Sequence, residues 1–450
     1  MSSELDRRMF LAASAAGIGA LAMRQPVAQQ PVALFRAPRL DRVRIGFVGV
    51  GHQGSSHVEN LLQIDGVEIL AICDLVPAKV RAMQDKVVEA GHARPAAYDR
   101  GPDDYRRMCD SVELDLVFTA TPWQVHAPVC AYAMEAGKHA ATEVPMAPTL
   151  EELWMLVETA ERTRRHCVMM ENCCYDRTEM MLFNMIRHGM FGELLHARCG
   201  YRHDLRDLKL TDFYEENWRV WHSIHRNGDL YPTHGLGPVA QWMNVNRGNR
   251  FATLVSMATP ARGLNQWAAA QLGPDSDYAR QRFALGDVVT SLLQTEAGQT
   301  ILVTHDTNLP RPYSRDIEIQ GTRGTARKYP EQKVHIEGRS PAHRWEDLAD
   351  YQAEWEHPLW RALEERSRGA GHGGMDFIED YRLIRSLRNG QPMDMDVYDG
   401  AAWSAVSAVS ERSIAAGSAP QDMPDFTRGA WRNRPPLGIV QADDELGDNR

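Results

Sequence analysis

Over its first third the chain alternates short apolar runs with helix-spaced stretches. Val43-Arg44-Ile45-Gly46-Phe47-Val48 runs into glycines and reads as a buried parallel strand. A helix is expected from Ser55 to about Gln63, and Val67 to Asp74 is a second strand that ends in a carboxylate. Helical spacing over residues 77–90 leads to a third buried run, Asp115 to Thr121. Lys138 to Glu143 and Cys167 to Asn172 read as two more strands, separated by a helix from Leu150 to Arg164 with Thr149 as its N-cap. This βαβ alternation predicts an α/β fold that opens with a Rossmann domain over residues 42–176. From residue 177 the pattern changes to a helix, long polar loops and alternating strands such as Ile301-Leu302-Val303-Thr304 and Ile317-Glu318-Ile319-Gln320. It predicts an α+β substrate domain with a mixed, largely antiparallel sheet over 177–420. Residues 421–450, rich in Pro, Asp and Arg, read as an extended wrap or a disordered extension. There is no internal repeat.

Composition narrows the partners more than the fold. The 450 residues suit two domains with tails, and 43% hydrophobic with 24% charged residues is a soluble globular balance. A net charge of −10 with no long basic run argues against a nucleic-acid partner and for a small molecule. The seven cysteines form no C-x-x-C ladder and read as buried thiols, and no H-x-H or carboxylate cluster calls for a metal. Asp6-Arg7-Arg8-Met9-Phe10-Leu11 with the alanine-rich stretch after it resembles a twin-arginine export signal over residues 1–30. That segment is too short for a stable membrane span in the mature protein. It implies the twin-arginine export machinery as a partner and a periplasmic or extracellular destination. Self-association into a homo-oligomer is left open.

Chemistry enters at the turn Gly49-Val50-Gly51-His52-Gln53-Gly54. A G-x-G-x-x-G between a strand and a helix brings backbone amides up to a pyrophosphate. Asp74, about 20 residues on at the end of the second strand, can bind both ribose hydroxyls and repel a 2′-phosphate. NAD is therefore expected over NADP. Further along, Tyr231 and His234 share a stretch with Pro232 and glycines 228, 235 and 237. The stretch reads as a rigid loop carrying an acid/base pair.

Two levels of resemblance sharpen this. Thr121-Pro122-Trp123-Gln124-Val125-His126 and Glu143-Val144-Pro145 resemble the T-P-x-x-x-H and E-K-P blocks of the sugar oxidoreductases that include glucose–fructose oxidoreductase and inositol dehydrogenase. In those enzymes the lysine after the glutamate accepts the substrate's proton, and here that position is Val144, which counts against a net dehydrogenase. Glu171-Asn172-Cys173-Cys174-Tyr175, Trp218-Arg219, Arg226-Asn227-Gly228, Leu230 through Pro238 and Asn244-Val245-Asn246-Arg247-Gly248 are similar to glycoside hydrolase family 109, the NAD-dependent α-N-acetylgalactosaminidases. His52-Gln53 and Asp176 depart from that family's usual spelling.

The resemblance implies cofactor contacts at Gly49, Gly51, His52, Gln53, Gly54, Asp74, Trp123, Gln124, Val125, His126, Glu143, Val144, Asn172 and Tyr231. It implies substrate contacts at Tyr201, Arg219, Tyr231, Pro232, Thr233, His234 and Tyr313, with Glu143, Tyr175, Tyr231 and His234 sharing the proton transfers. The activity implied is retaining hydrolysis of a terminal α-linked N-acetylgalactosamine from a small glycoside or glycan terminus. It runs through transient oxidation of carbon 3 by NAD, elimination, water addition and re-reduction. A sugar dehydrogenase of the wider group and a non-catalytic, exported, NAD-bound sugar-binding protein are the alternatives.

Overall fold

The computed structural model describes residues 35–213 and 217–441, so the expected export segment lies outside the described residues. The five apolar runs become β1 (Val43–Val48), β2 (Val67–Cys73), β4 (Leu116–Thr119), β5 (His139–Thr142) and β6 (Cys167–Met169), and a further short strand, β3 (Ala96–Tyr98), with two of its three residues exposed, was not expected. They form one sheet in the order β3-β2-β1-β4-β5-β6, with every pairing parallel. Phe47 and Phe118 stack across β1 and β4 at 4.7 Å, and both are fully buried. Strand order reverses between β1 and β4, so a crevice opens beyond their carboxyl ends, where open α/β sheets bind ligands.

The crossover helices are α1 (His52–Leu61), α2 (Pro77–Glu89), α3 (Asp104–Ser111), α4 (Trp123–Glu135) and α5 (Leu150–Thr163). Thr149 caps α5 as expected, accepting from the Glu152 amide at 3.2 Å. In contrast, α1 starts three residues earlier than Ser55. Gly51 takes the N-cap position, and the glycine turn therefore includes the helix's own first turn.

After α6 (Arg177–Arg187), the second sheet is built from β7 (Leu194–Arg202), β8 (Phe251–Ala258), β9 (Val288–Thr295), β10 (Thr300–Asp306) and β11 (Glu318–Gly321). It is completed by β12 (Gly324–Arg327), β13 (Lys333–Ile336), β14 (Glu346–Asp347) and β15 (Gln421–Asp422). Its order is β14-β13-β12-β11-β7-β10-β9-β8-β15, and only β7 with β10 pair in parallel. Three short helices that follow β7 carry site residues: α7 (Arg206–Leu210), α8 (Trp218–His225) and α9 (Thr233–Trp242), the last packed on β7.

Two late helices leave the second sheet and return to the first. Helix α10 (Met375–Asn389) packs on α1 and β1, and α11 (Val397–Ala415) lies against α5, β6 and β8. Asp396 caps α11 with a reciprocal capping box, and Asp399 in its first turn pairs with Arg247 at 2.6 Å. Asn246 adds a bond to the Tyr398 carbonyl at 3.0 Å, so the Asn244–Gly248 block is a mooring for α11.

The extension after Pro420 is not disordered over its described part. β15 pairs with β8, Phe426 and Trp431 are buried, and Arg187 donates to the Leu437 carbonyl at 2.9 Å. All seven cysteines are buried and free. Among the described residues no helix is long and apolar enough to cross a membrane.

Candidate active site

At the end of β1, Gly49 adopts φ +85°, and a Cβ there would sit 2.8 Å from the Ala120 carbonyl oxygen. A Cβ on Gly54 would lie 2.1 Å from the Gly49 carbonyl oxygen, so both glycines are needed to fold the turn onto α1. Gly51 differs, since a Cβ there would find only Lys79 Nζ, at 3.9 Å. The space a side chain would fill at Gly51 lies open over the start of α1, which has no side-chain cap. Amides with nothing bonded across them and a cradle kept clear by glycine fit a dinucleotide pyrophosphate. Asp74 accepts from the Val50 amide on one carboxylate oxygen and from the Val76 amide on the other, both at 2.9 Å. It thereby holds the turn and keeps lone pairs for ribose hydroxyls.

The opposite wall comes from the ends of β4 and β5. The buried His126 ring lies between the Pro145 and Thr121 carbonyls, its two nitrogens 2.8 and 2.7 Å from them, and, kept neutral by burial, donates its single N–H to one of the two. The Glu143 carboxylate is held by the Val144 amide at 3.0 Å and by His57 Nε2 at 2.8 Å. On its far side His57 meets Asp380 of α10 at 2.9 Å, and the ring is fully buried. Burial alone would lower the His57 pKa, but Asp380 and Glu143 raise it well above the imidazole range, so an imidazolium joins two carboxylates. Gln53 reaches Asp376 at 3.3 Å, and Asn172 donates to Asp376 at 2.7 Å. Of the expected cofactor residues, His52 is exposed at the start of α1 and Val144 is buried.

Facing this groove is an aromatic cluster. Trp123 stacks on Tyr231 at 5.5 Å, Tyr201 lies 4.7 Å from Tyr231, and Arg219 lies over Trp123 and Tyr231 at 5.2 and 5.4 Å. The His234 ring stands 4.8 Å from Tyr231 and 5.4 Å from Tyr201. Tyr313 lies 6.1 Å from Tyr201, and Arg315, paired in turn with Asp176 and Glu179, donates to the Tyr313 hydroxyl at 3.3 Å.

The rigid-loop expectation for the His234 stretch is corrected, because residues 233–242 are helix α9, with Pro232 at the N-cap and Thr233 as first residue. The glycines serve close approach instead of a turn. A Cβ on Gly235 would come within 2.3 Å of the Gly200 nitrogen in β7, and one on Gly237 within 3.0 Å of Glu171 Cγ. That contact presses His234 onto Glu171, whose Oε1 receives His234 Nδ1 at 2.7 Å and the Cys173 amide at 3.1 Å. Burial would push the Glu171 carboxyl up, yet His234, Thr233 and the Cys173 amide hold it below the usual range. An ionised Glu171 fixes the proton on Nδ1 and leaves Nε2 as the basic nitrogen.

Tyr175 is not brought to this cluster. Its hydroxyl donates to Asp394 at 3.0 Å, and Asp394 is paired with Arg382, so the tyrosine braces α10. Glu171, Cys173 and His234 do bring three possible ligand atoms within 4.8 Å of one another. The set does not suit a metal: burial keeps Cys173 a thiol, and Glu171 Oε1 is already shared by His234 and a backbone amide.

Residues 175–433 match the family model for the glycosyl hydrolase 109 C-terminal domain, and residues 43–171 match the oxidoreductase family, NAD-binding Rossmann fold. A glycosyl hydrolase family 109 protein of Shewanella amazonensis is 45% identical, the match covering 97% of this chain and 99% of that one. Another, from Shewanella sp. strain MR-4, is 46% identical over 90% of both chains. The chain belongs to glycosyl hydrolase family 109. Its fold is that of NAD-binding oxidoreductases. Levoglucosan dehydrogenase, solved with NADH and L-sorbose, superposes with a TM-score of 0.66 at 21% identity, covering 86% of this chain and 100% of that one. An NAD binding oxidoreductase from Klebsiella pneumoniae gives 0.67 at 17% over the same shares. The N-terminal domain of this family 109 chain is thus an NAD-binding Rossmann fold.

Several site residues of the family 109 chain escaped the sequence reading. Glu171 was visible only as part of a motif, while His57 and Asp380 lie 323 positions apart in sequence. Lys209, His222 and His305 line a half-open cleft with Trp123, Tyr201, Arg219 and Tyr231, holding about 270 Å³ of empty space that is partly open to solvent. The only local signal for Lys209 is a lysine between leucines, Leu208-Lys209-Leu210.

Proposed function

We propose that this family 109 chain is a retaining glycosidase that cleaves a terminal α-linked N-acetylgalactosamine by oxidation, elimination, water addition and reduction. The observation carrying this reading is the Glu171–His234 pair, with the His234 ring set beside Tyr231, which stacks on Trp123 in the wall of the aromatic cleft. When bound, NAD supplies a hydride acceptor at carbon 3 of the sugar and the matching donor on return. The carbonyl so formed acidifies the hydrogen on carbon 2. His234, its Nδ1 proton held by Glu171, takes that hydrogen as a proton on Nε2. Loss of the aglycone from carbon 1 follows, and Tyr231, whose hydroxyl burial keeps protonated, is placed to hydrogen-bond the departing oxygen. Water then adds on the face the aglycone left. Arg219 over Trp123 and Tyr231 fixes the ring orientation, and Tyr313 stands at the rim.

A carboxylate glycosidase and a dehydrogenase both give other isotope patterns. Turnover of a chromogenic α-glycoside in heavy water is expected to place deuterium at carbon 2 of the released sugar, with no build-up of NADH. Release of unlabelled sugar at full rate would remove the support for elimination. Stoichiometric NADH with an oxidised sugar would instead support the dehydrogenase alternative.

A further inference from the structure

Lys209 is a fully enclosed lysine in the wall of the sugar cleft, and its surroundings leave one direction unfilled. It projects from the short helix α7, is 4% exposed, and lines the cleft beside Trp123, Arg219 and Tyr231. Nζ donates to Thr307 Oγ1 at 2.7 Å and to Asn308 Oδ1 at 2.8 Å. A lysine nitrogen has three such directions, and among the described residues these are its two partners. When Nζ is an ammonium the third direction holds a proton. When it is an amine, that direction holds the lone pair. Both anchors sit just beyond β10, so the nitrogen is aimed and is not a floppy surface charge.

The groups around it favour the neutral form. Burial comes first, and Arg219 on α8 adds a fixed positive charge; Asp306 at the end of β10 and Asp287 before β9 oppose them only in part, bringing the Lys209 pKa down to about 7. His222 on α8 and His305 on β10 face the same cleft, and burial pushes each down to about 3, so both are uncharged at neutral pH and add no positive charge of their own. Tyr201 and Tyr231 close the circle, their rings 4.7 Å apart. A buried cation with no carboxylate partner is expensive, and this arrangement relieves the cost by letting the proton come and go.

We propose that Lys209 is a catalytic base that takes the proton of a sugar hydroxyl as that carbon is oxidised. The inference rests on the reading that a sugar is oxidised in this cleft. The hydroxyl O–H bond breaks and an N–H bond forms on Nζ. The C–H bond at the same carbon breaks with its electron pair leaving to the nicotinamide of NAD, and a C=O remains. The return step reverses both transfers, so Lys209 ends each turnover as the amine it began. Two bases then serve two protons, with Lys209 at a hydroxyl and His234 at carbon.

The test uses the full-length protein carrying NAD. The readout is the sugar-driven absorbance of reduced nicotinamide in a single turnover, followed in wild type, Lys209→Met, Lys209→Arg and Lys209→Ala. Loss of about 10²- to 10⁴-fold in that step is expected for all three variants, with bound NAD unchanged. Added small primary amines are expected to restore Lys209→Ala in order of their basicity, which a merely structural lysine would not show. Independently of turnover, amine-selective acylation mapped by mass spectrometry is expected to modify wild-type Lys209 at neutral pH and to be blocked by the sugar. The proposal is overturned if Lys209→Arg reduces NAD at the wild-type rate, or if amines never rescue Lys209→Ala. A wild type that neither reduces NAD nor releases aglycone would overturn the glycosidase reading itself, whatever the Lys209 variants do.

Discussion

At the scale of single residues, the assignment with most consequence is Glu171. Its carboxylate gives His234 one defined tautomer, and neither group can do this alone. His234→Ala is expected to lower kcat by roughly 10²- to 10⁴-fold while leaving NAD bound, measured with an aryl α-glycoside and by acid release of the dinucleotide. Glu171→Gln keeps an acceptor for Nδ1 but not its charge, so a smaller loss is expected, falling on kcat and not on KM. The sequence carried His234 clearly because a histidine beside a tyrosine between glycines stands out. It did not carry the role of Glu171, since a glutamate before Asn172 could as well have been a strand end. Only the packing of Gly235 on β7 and of Gly237 on Glu171 shows why the two must meet. For Tyr175 the motif was legible, but the direction of its side chain was not, because it is set by Asp394, more than 200 residues away.

At the scale of elements, five of the six Rossmann strands were legible because buried parallel strands are short, continuous and apolar, and their bounds shift by only a few residues, whereas β3 was not, since two of its three residues are exposed. Helix α9 was not, because glycine and proline in a short segment signal a turn unless the strand they pack against is known. The contribution of α10 was equally hidden. His57 on α1 and Asp380 on α10 form a buried ion pair that joins the dinucleotide helix to a helix from the far end of the chain. Asp380→Asn is expected to cost about 3–5 kcal/mol of stability, seen as a lower denaturation midpoint without a change in slope, because it strips a buried charge of its partner. The pH dependence has a definite sign. The folded-state pKa of His57 is raised above its ordinary value of 6.5. Its contribution is therefore complete at lower pH and is lost as pH rises through the folded value. Wild type is expected to lose stability on the alkaline side, and His57→Gln to show less of that loss, in urea titrations across pH.

At the scale of the whole molecule, α11 packs on β6 of the first sheet and on β8 of the second, and α10 packs on α1 and β1, so late helices and not a linker join the two sheets. A cycle that regenerates its oxidant needs no exchange of NAD, and we propose that the protein retains it. Acid-release chromatography of purified protein is expected to find about one NAD per chain, and an empty site that NAD cannot fill would contradict this. We also propose export through the Arg7-Arg8 segment. A route that moves folded proteins would deliver the enzyme already loaded, and replacing both arginines with lysine is expected to leave activity in the cytoplasmic fraction. The reach of Asp376 and Asp380 back to α1 also sets a timetable for the protein's birth. A ribosome that has made every strand of the Rossmann sheet has still not made the residues that brace Gln53 and His57, so the finished dinucleotide seat comes into being only near the end of translation.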